Sequence, residues 1–208
     1  MCANLSLIRH GKVGDEYRGT FIGKTDVPLA ITGRRQAQRL KRQLRDIFKA
    51  APDSVILSSP LQRCRETANI ASQGLNIPVQ FDDDLREIDF GEWEVLTFEK
   101  IAATYNSNEI AGWARFDRDF TFPGGERLGD FLDRVAGAGE RLAALDCESA
   151  VVFTHGGVIR ALICHFLKLD PRNYLLFEVG PASVTTIRLF ENGGILTGLN
   201  NFVGIEEA

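Results

Sequence analysis

The chain has 208 residues, 44% hydrophobic and 25% charged, which excludes a disordered or fibrous chain and predicts one well-buried domain spanning residues 1–208. Its 24 lysines and arginines against 28 acidic residues give a net charge of -4, which argues against a general binder of nucleic acid or anionic membrane and makes any positive site a local one. Cys2, Cys64, Cys147 and Cys164 lack the short paired spacings of metal sites, and no apolar run reaches membrane-spanning or signal-peptide length, so free thiols and a cytoplasmic location are expected.

In chain order, Leu5 to Ile8 reads as a buried strand that stops at Arg9-His10-Gly11. The loop beyond it contains Gly19-x-x-x-Gly23-Lys24-Thr25, close to a nucleotide-binding loop. Such a loop needs four residues between its first glycine and Gly-Lys-Thr, and it opens directly into a helix. Here the gap is three, Arg18 stands where a glycine is needed, and Pro28 follows, so the nucleotide reading fails. A helix with Thr32 as N-cap comes next, burying Ala37, Leu40, Leu44, Ile47 and Phe48 and presenting Arg34, Arg35, Arg39, Lys41, Arg42 and Arg45 as a solvated basic face.

Ser54 to Ser58 is a second buried strand, ending at Ser59-Pro60. The helix after it runs through Cys64, Thr67, Ala68 and Ala71 to Gly74, with Arg63 and Arg65 in its first turns. Ile77 to Val79 is a short edge strand at best. From Asp82 to Gly125 the pattern loosens into a helical substrate-side insertion, with short helices near 97–105 and 108–116 and a turn at Pro123-Gly-Gly125. A long helix spans Glu126 to Leu145, then a third buried strand, Ala150 to Thr154, ends at His155-Gly156-Gly157 and leads into a helix from Val158 to Leu167. Ser183 to Phe190 and Ile195 to Leu199 flank Glu-Asn-Gly-Gly, a hairpin signal. Alternating strands and helices predict an α/β three-layer sandwich whose mostly parallel sheet is covered on both faces. Ligands bind such sheets at the carboxyl ends of the strands, which puts Arg9-His10, Ser58-Ser59 and His155 on one rim.

The chain has three histidines, and two of them, His10 and His155, directly follow buried strands and precede glycine; His165 lies inside an apolar helix and reads as structural. Guanidinium groups hold phosphate oxygens with paired donors and keep their charge, so Arg9 and an arginine of the second helix would bind a phosphoryl group. Spacing does not separate Arg63 from Arg65; Arg63 is preferred. No Gly-x-Gly-x-x-Gly follows a strand and no Cys-x5-Arg loop exists, so dinucleotide and cysteine-phosphatase chemistry lose support.

Arg9-His-Gly11, Ser58-Ser-Pro-Leu-Gln-Arg63-Cys-Arg-Glu-Thr67, Leu85-Arg-Glu87-Ile-Asp-Phe-Gly91-Glu-Trp-Glu94 and Thr154-His155-Gly-Gly-Val-Ile-Arg160 resemble, in order, the signatures of the histidine phosphatase superfamily, also called phosphoglycerate-mutase-like. The resemblance implies a two-step transfer through a phosphohistidine, with His10 as nucleophile, Arg9, Arg63 and His155 holding the phosphoryl oxygens, and Glu87 as general acid and then base. Asp89, Glu92 and Glu94, with Asp15 and Glu16 beyond His10, compete for that role; the motif position favours Glu87. It implies no metal or cofactor and a small phosphorylated metabolite as substrate.

The small phosphatases, α-ribazole-phosphate phosphatase and the broad-specificity monoesterases, are the most similar members. Their substrate-side segments imply a phosphate contact from the Gly23 N–H and further substrate contacts from Glu16, Ile22, Glu126 and Gly156. Mutases carry a longer insertion than the span from Glu87 to His155 allows, so hydrolysis is expected; mutase or sugar-bisphosphate phosphatase activity, or a non-catalytic phospho-ligand-binding role, stands as the alternative. Lys12, Glu16 and Val95 depart from the family pattern. Sequence does not address the oligomeric state.

Overall fold

The computed structural model describes residues 2–202, residues 108 and 109 by backbone alone. Three strands rich in Val, Ile and Leu form its centre: β1 (Asn4–Arg9), β2 (Ser54–Ser58) and β4 (Ser149–Thr154). With β3 (Val79–Phe81), β5 (Val184–Phe190) and β6 (Gly193–Asn201) they make a six-stranded sheet in the order β3-β2-β4-β1-β5-β6. β3, β2, β4 and β1 run parallel; β5 is antiparallel to β1, and β6 returns antiparallel to β5 as a hairpin.

Strand side chains alternate between faces, and the sheet uses both. Leu5, Leu7, Leu57, Ala150 and Val152 join one core with α5 (Leu128–Ala144) and α6 (Gly156–Phe166). Ile8, Ile56, Val151 and Phe153 join a second core with α1 (Ile31–Ala50) and α2 (Gln62–Ser72). The result is the predicted three-layer α/β sandwich, with helices on both faces. Among the described residues no helix is long and apolar enough to cross a membrane.

Several boundaries differ from expectation. α1 starts at Ile31 with no side-chain cap, so Thr32 is not its N-cap. What fixes that start is backbone contact: Ala30 N–H donates to the Lys12 carbonyl (2.9 Å), and Gly33 packs on the Lys12 backbone so closely that a Cβ would collide with it. The strand expected at 77–79 lies at Val79–Phe81, since Pro78 has no N–H to give a ladder and Phe81 pairs level with Ser58. α5 begins two residues late because the Glu126 carbonyl is taken by the Phe122 N–H in a turn (3.2 Å). α6 begins at Gly156, directly after His155. The short helices between β3 and α5 appear as α3 (Phe98–Thr104) and α4 (Ser107–Ala114).

Candidate active site

The carboxyl ends of β1, β2 and β4 meet on one rim and set the site. His10, the residue after β1, is locked across strands: its N–H donates to the Thr154 carbonyl (3.0 Å) and its own carbonyl accepts from Ala182 N–H (3.0 Å). Its Nδ1 lies 2.8 Å from the Gly11 carbonyl, an acceptor, so Nδ1 carries the proton and Nε2 keeps its lone pair. Thr67 ties this loop to α2, accepting from Gly11 N–H (3.0 Å) and donating to the Arg63 carbonyl (2.6 Å). His155 follows β4 directly, and its ring centroid is 5.3 Å from that of His10.

Arg63 projects inward from the first turn of α2 and is fully buried, whereas Arg65 is exposed; burial separates the two where spacing could not. Its Nη1 donates to the Thr25 carbonyl (2.9 Å) and Nη2 to that of Gly23 (2.7 Å). Arg9 donates from Nη1 to the Val179 carbonyl (2.6 Å), and Gly156 lies against its guanidinium. The Nε of each arginine is buried with no hydrogen-bond partner among the described residues. Buried polar groups are nearly always paired, and a guanidinium cannot shed its charge to escape the cost. Both guanidinium charges act on the two histidines, so positive charge is concentrated at this point of the rim.

Burial, then the charges of Arg63 and Arg9, pushes His10 well below the ordinary imidazole pKa. His155 is lowered for the same reasons, with His10 adding to the effect. Both rings are therefore neutral near pH 7, which a histidine nucleophile requires. Ser59 Oγ (2.8 Å) and Cys64 Sγ (3.4 Å) hold His155 at Nε2. Burial pushes the Cys64 thiol up to about 12, so it is no thiolate at neutral pH.

Glu87 stands across from these groups. One oxygen accepts from Gly157 N–H (2.9 Å), the other from Ile88 N–H (3.2 Å), and a Cβ on Gly157 would collide with it. The Tyr174 hydroxyl presses on the same point, its pKa raised first by burial and then by the Glu87 charge. Among the described residues, two cavities lie on the Glu87 side of the site, neither of them lined by Arg9, His10, Arg63 or His155. One, about 290 Å³, is lined by Glu87 with Lys24, Arg86, Asp89, Glu126 and Arg134. The other, about 420 Å³, is mostly aromatic, with Phe21, Phe90, Trp113 and Tyr174 in its wall and Arg160 as its charged member.

The structure thus gathers Arg9, His10, Arg63, Glu87, His155 and Gly156. It does not leave the Gly23 N–H free for phosphate: that group donates to Glu94 Oε2 (3.1 Å). Glu126 is paired with Arg134, which donates to both of its carboxylate oxygens at 2.9 Å, and it lines the smaller cavity beside Glu87. Glu16 is exposed and folds over Gly14, while Lys12 pairs with Asp15 (3.0 Å). Ile22 is half-buried between Phe21 and Gly23.

Sequence reasoning missed Tyr174 and its cavity. Tyr174 lies on a 3-10 turn, Pro171–Leu176, whose short pitch gives no helical or strand periodicity to detect. Glu94 was weighed as a proton donor; five donors converge on its oxygens, which makes it a structural acceptor.

Fold and site together define a phosphoryl-transfer enzyme of the histidine type. The family description "histidine phosphatase superfamily (branch 1)" matches residues 5–202, and the chain belongs to that superfamily. It is 29% identical to an adenosylcobalamin/α-ribazole phosphatase of Salmonella typhimurium over 198 residues, 95% of this chain and 96% of that one. Identity is also 29% to phosphoserine phosphatase 1 of Hydrogenobacter thermophilus, covering 94% and 91%. The α-ribazole phosphatase of Shigella flexneri superposes with a TM-score of 0.85 at 25% identity, over 98% of this chain and 99% of that one. The chain is a phosphatase, a hydrolase of phosphomonoesters acting on small phosphorylated substrates.

Proposed function

We propose that the chain hydrolyses a small organic phosphate carrying a flat, apolar leaving group, α-ribazole 5'-phosphate being the leading candidate, through a phosphohistidine on His10 and without a metal. The pair of neutral histidines between two buried, under-bonded guanidiniums carries this reading. His10 Nε2 attacks phosphorus as the ester P–O bond breaks, with Glu87 as the general acid that passes a proton to the departing oxygen. Water then attacks the phosphohistidine, Glu87 takes its proton, and phosphate leaves with His10 restored. Arg9, Arg63 and His155 hold the phosphoryl oxygens as their charge redistributes.

The choice of leaving group rests on the two cavities. Lys24 pairs with Asp89 (2.7 Å), Arg134 with Glu126 and Arg86 with Asp83 (3.6 Å), so the cations around the smaller cavity are already compensated. A carboxylate-bearing product such as serine would have to displace those pairs. The aromatic cavity offers a ring-stacking surface instead, beside the proton donor. On this reading the chain works as one domain, with residues 82–125 as its substrate side, and its four buried free cysteines suit a reducing compartment.

The test is hydrolysis of a chromogenic phosphate ester in EDTA, then a ranking by kcat/KM of α-ribazole 5'-phosphate, phosphoserine, 3-phosphoglycerate and sugar bisphosphates. Turnover in EDTA that vanishes in His10→Ala, with α-ribazole 5'-phosphate ranked first, is expected. Activity that needs added metal overturns the mechanism; a ranking led by phosphoserine or 3-phosphoglycerate overturns the leaving group.

A further inference from the structure

The Gly23-Lys24-Thr25 loop does cradle an anion, and the anion belongs to the chain itself. Glu94 Oε2 accepts from Gly23 N–H (3.1 Å), Thr25 N–H (3.2 Å) and Thr25 Oγ1 (2.5 Å). Its Oε1 accepts from Lys24 N–H (2.9 Å) and Phe90 N–H (3.1 Å). Successive backbone N–H groups around one acceptor form an anion nest, and an ionised acceptor makes each bond roughly twice as strong as a neutral one. The opposite edge of the loop, the carbonyls of Gly23 and Thr25, receives the two Nη donors of Arg63. A carboxylate therefore fills the donor side of the loop while the guanidinium fills its acceptor side.

We propose that Glu94 is a positioning residue for phosphoryl transfer: by clamping the Gly23–Thr25 loop it fixes the two carbonyls that orient Arg63, and with them the Nε donor that Arg63 keeps for the phosphoryl group. This rests on the reading of Arg63 as a phosphate ligand. Two observations add weight. Gly23 accepts no Cβ without collision with the Ile88 carbonyl and Glu94, so the loop is built for that approach. Immediately after Glu94, Val95 has φ +62°, a left-handed backbone that a β-branched residue adopts only when its surroundings demand it. Val95 N–H donates to the Phe21 carbonyl (2.7 Å) and Phe21 N–H to that of Leu96 (3.0 Å), so the corner is pinned to the strand of chain leading into the loop.

A double-mutant cycle distinguishes this role from a merely structural one. Binding of inorganic phosphate to the full chain is measured by calorimetry for wild type, Glu94→Gln, Arg63→Ala and the double variant, with thermal unfolding recorded for each. Glu94→Gln is expected to weaken phosphate binding about tenfold and Arg63→Ala at least as much, with the double variant no weaker than Arg63→Ala alone, because both losses pass through one guanidinium. Thr25→Val, which removes one of the five donors, should cost about threefold in a less disturbed fold, and it decides the matter if Glu94→Gln does not fold. Wild-type phosphate affinity in a folded Glu94→Gln or in Thr25→Val, or losses that add in the double variant, overturn the role of Glu94. Arg63→Ala with undiminished phosphate affinity overturns instead the reading of the site on which it rests.

Discussion

The phosphoryl rim and the leaving-group side of the site are built in different ways. On the rim, His10 and His155 follow buried strands and Arg63 lies in the first turn of α2; backbone bonds to Thr154 and Ala182 fix His10, and the Gly23 and Thr25 carbonyls fix Arg63. On the other side, Phe21, Phe90, Trp113 and Tyr174 arrive from loops, a 3-10 turn and a short helix; Phe21 meets Phe90 and Trp113 edge-on at 5.1 and 5.5 Å, and Tyr174 packs on Phe116 at 5.1 Å. A rim fixed by the sheet specifies one reaction, whereas a wall fixed by side-chain packing can change its lining without disturbing it. Substitutions on the two sides should therefore separate catalysis from selectivity.

The largest effect expected is on the rim: His10→Ala should lower kcat by at least about a thousandfold on every substrate, as removal of a nucleophile does. Steady-state assays across the substrate panel check it, and a loss confined to some substrates would break the contrast. Glu126→Ala, at the border of the two regions, leaves Arg134 half-buried without its carboxylate and should cost about 2 kcal/mol of stability. Chemical denaturation measures that cost, and turnover by the folded variant should change far less than in His10→Ala. On the wall, Trp113→Ala should reduce kcat/KM for α-ribazole 5'-phosphate about tenfold while leaving a small alkyl phosphate nearly unaffected. Equal losses on both would show that the wall also supports the rim. The smallest is a gain: Val95→Gly removes the strain at φ +62° and should stabilise the fold by about 1 kcal/mol, read as a rise in Tm.

Acidification also divides the regions. His10 and His155 have pKa values well below 6.5 when folded, so the unfolded chain binds their protons first. Stability linked to them is complete above pH 6.5 and is lost as pH falls below it. His155→Gln should remove part of that loss, seen as a smaller drop in Tm between pH 7 and pH 5 than in the wild type. Wall variants should leave the drop unchanged.

The same contrast explains what the sequence made legible. Strands that stop at Arg9-His10 and at His155, and an arginine in the first turn of α2, leave a short-range signature because covalent order and sheet register place them directly. Glu87 was legible through its motif, and its partner Gly157 is a glycine because the carboxylate leaves no room for a Cβ. The partner of the Gly23 N–H is not legible, because a backbone donor near a phosphate site looks the same in sequence whether a ligand or Glu94, 71 positions away, accepts it. The pairing of Glu126 with Arg134 is equally hidden, since only the fold brings the two together. Tyr174 could not be found at all, because its meeting with Glu87 depends on where a 3-10 turn lands after α6. Nor could the start of α1, set by contact between Gly33 and Lys12 rather than by a capping side chain.

Trapping the intermediate tests the central claim most directly. Rapid mixing with a 32P-labelled substrate, quenching in base and mapping of the labelled peptide should place acid-labile, base-stable phosphate on His10, forming faster than steady-state turnover and absent from His10→Ala. Label on another residue, or turnover with no phosphoenzyme and inversion of configuration at phosphorus, would contradict it.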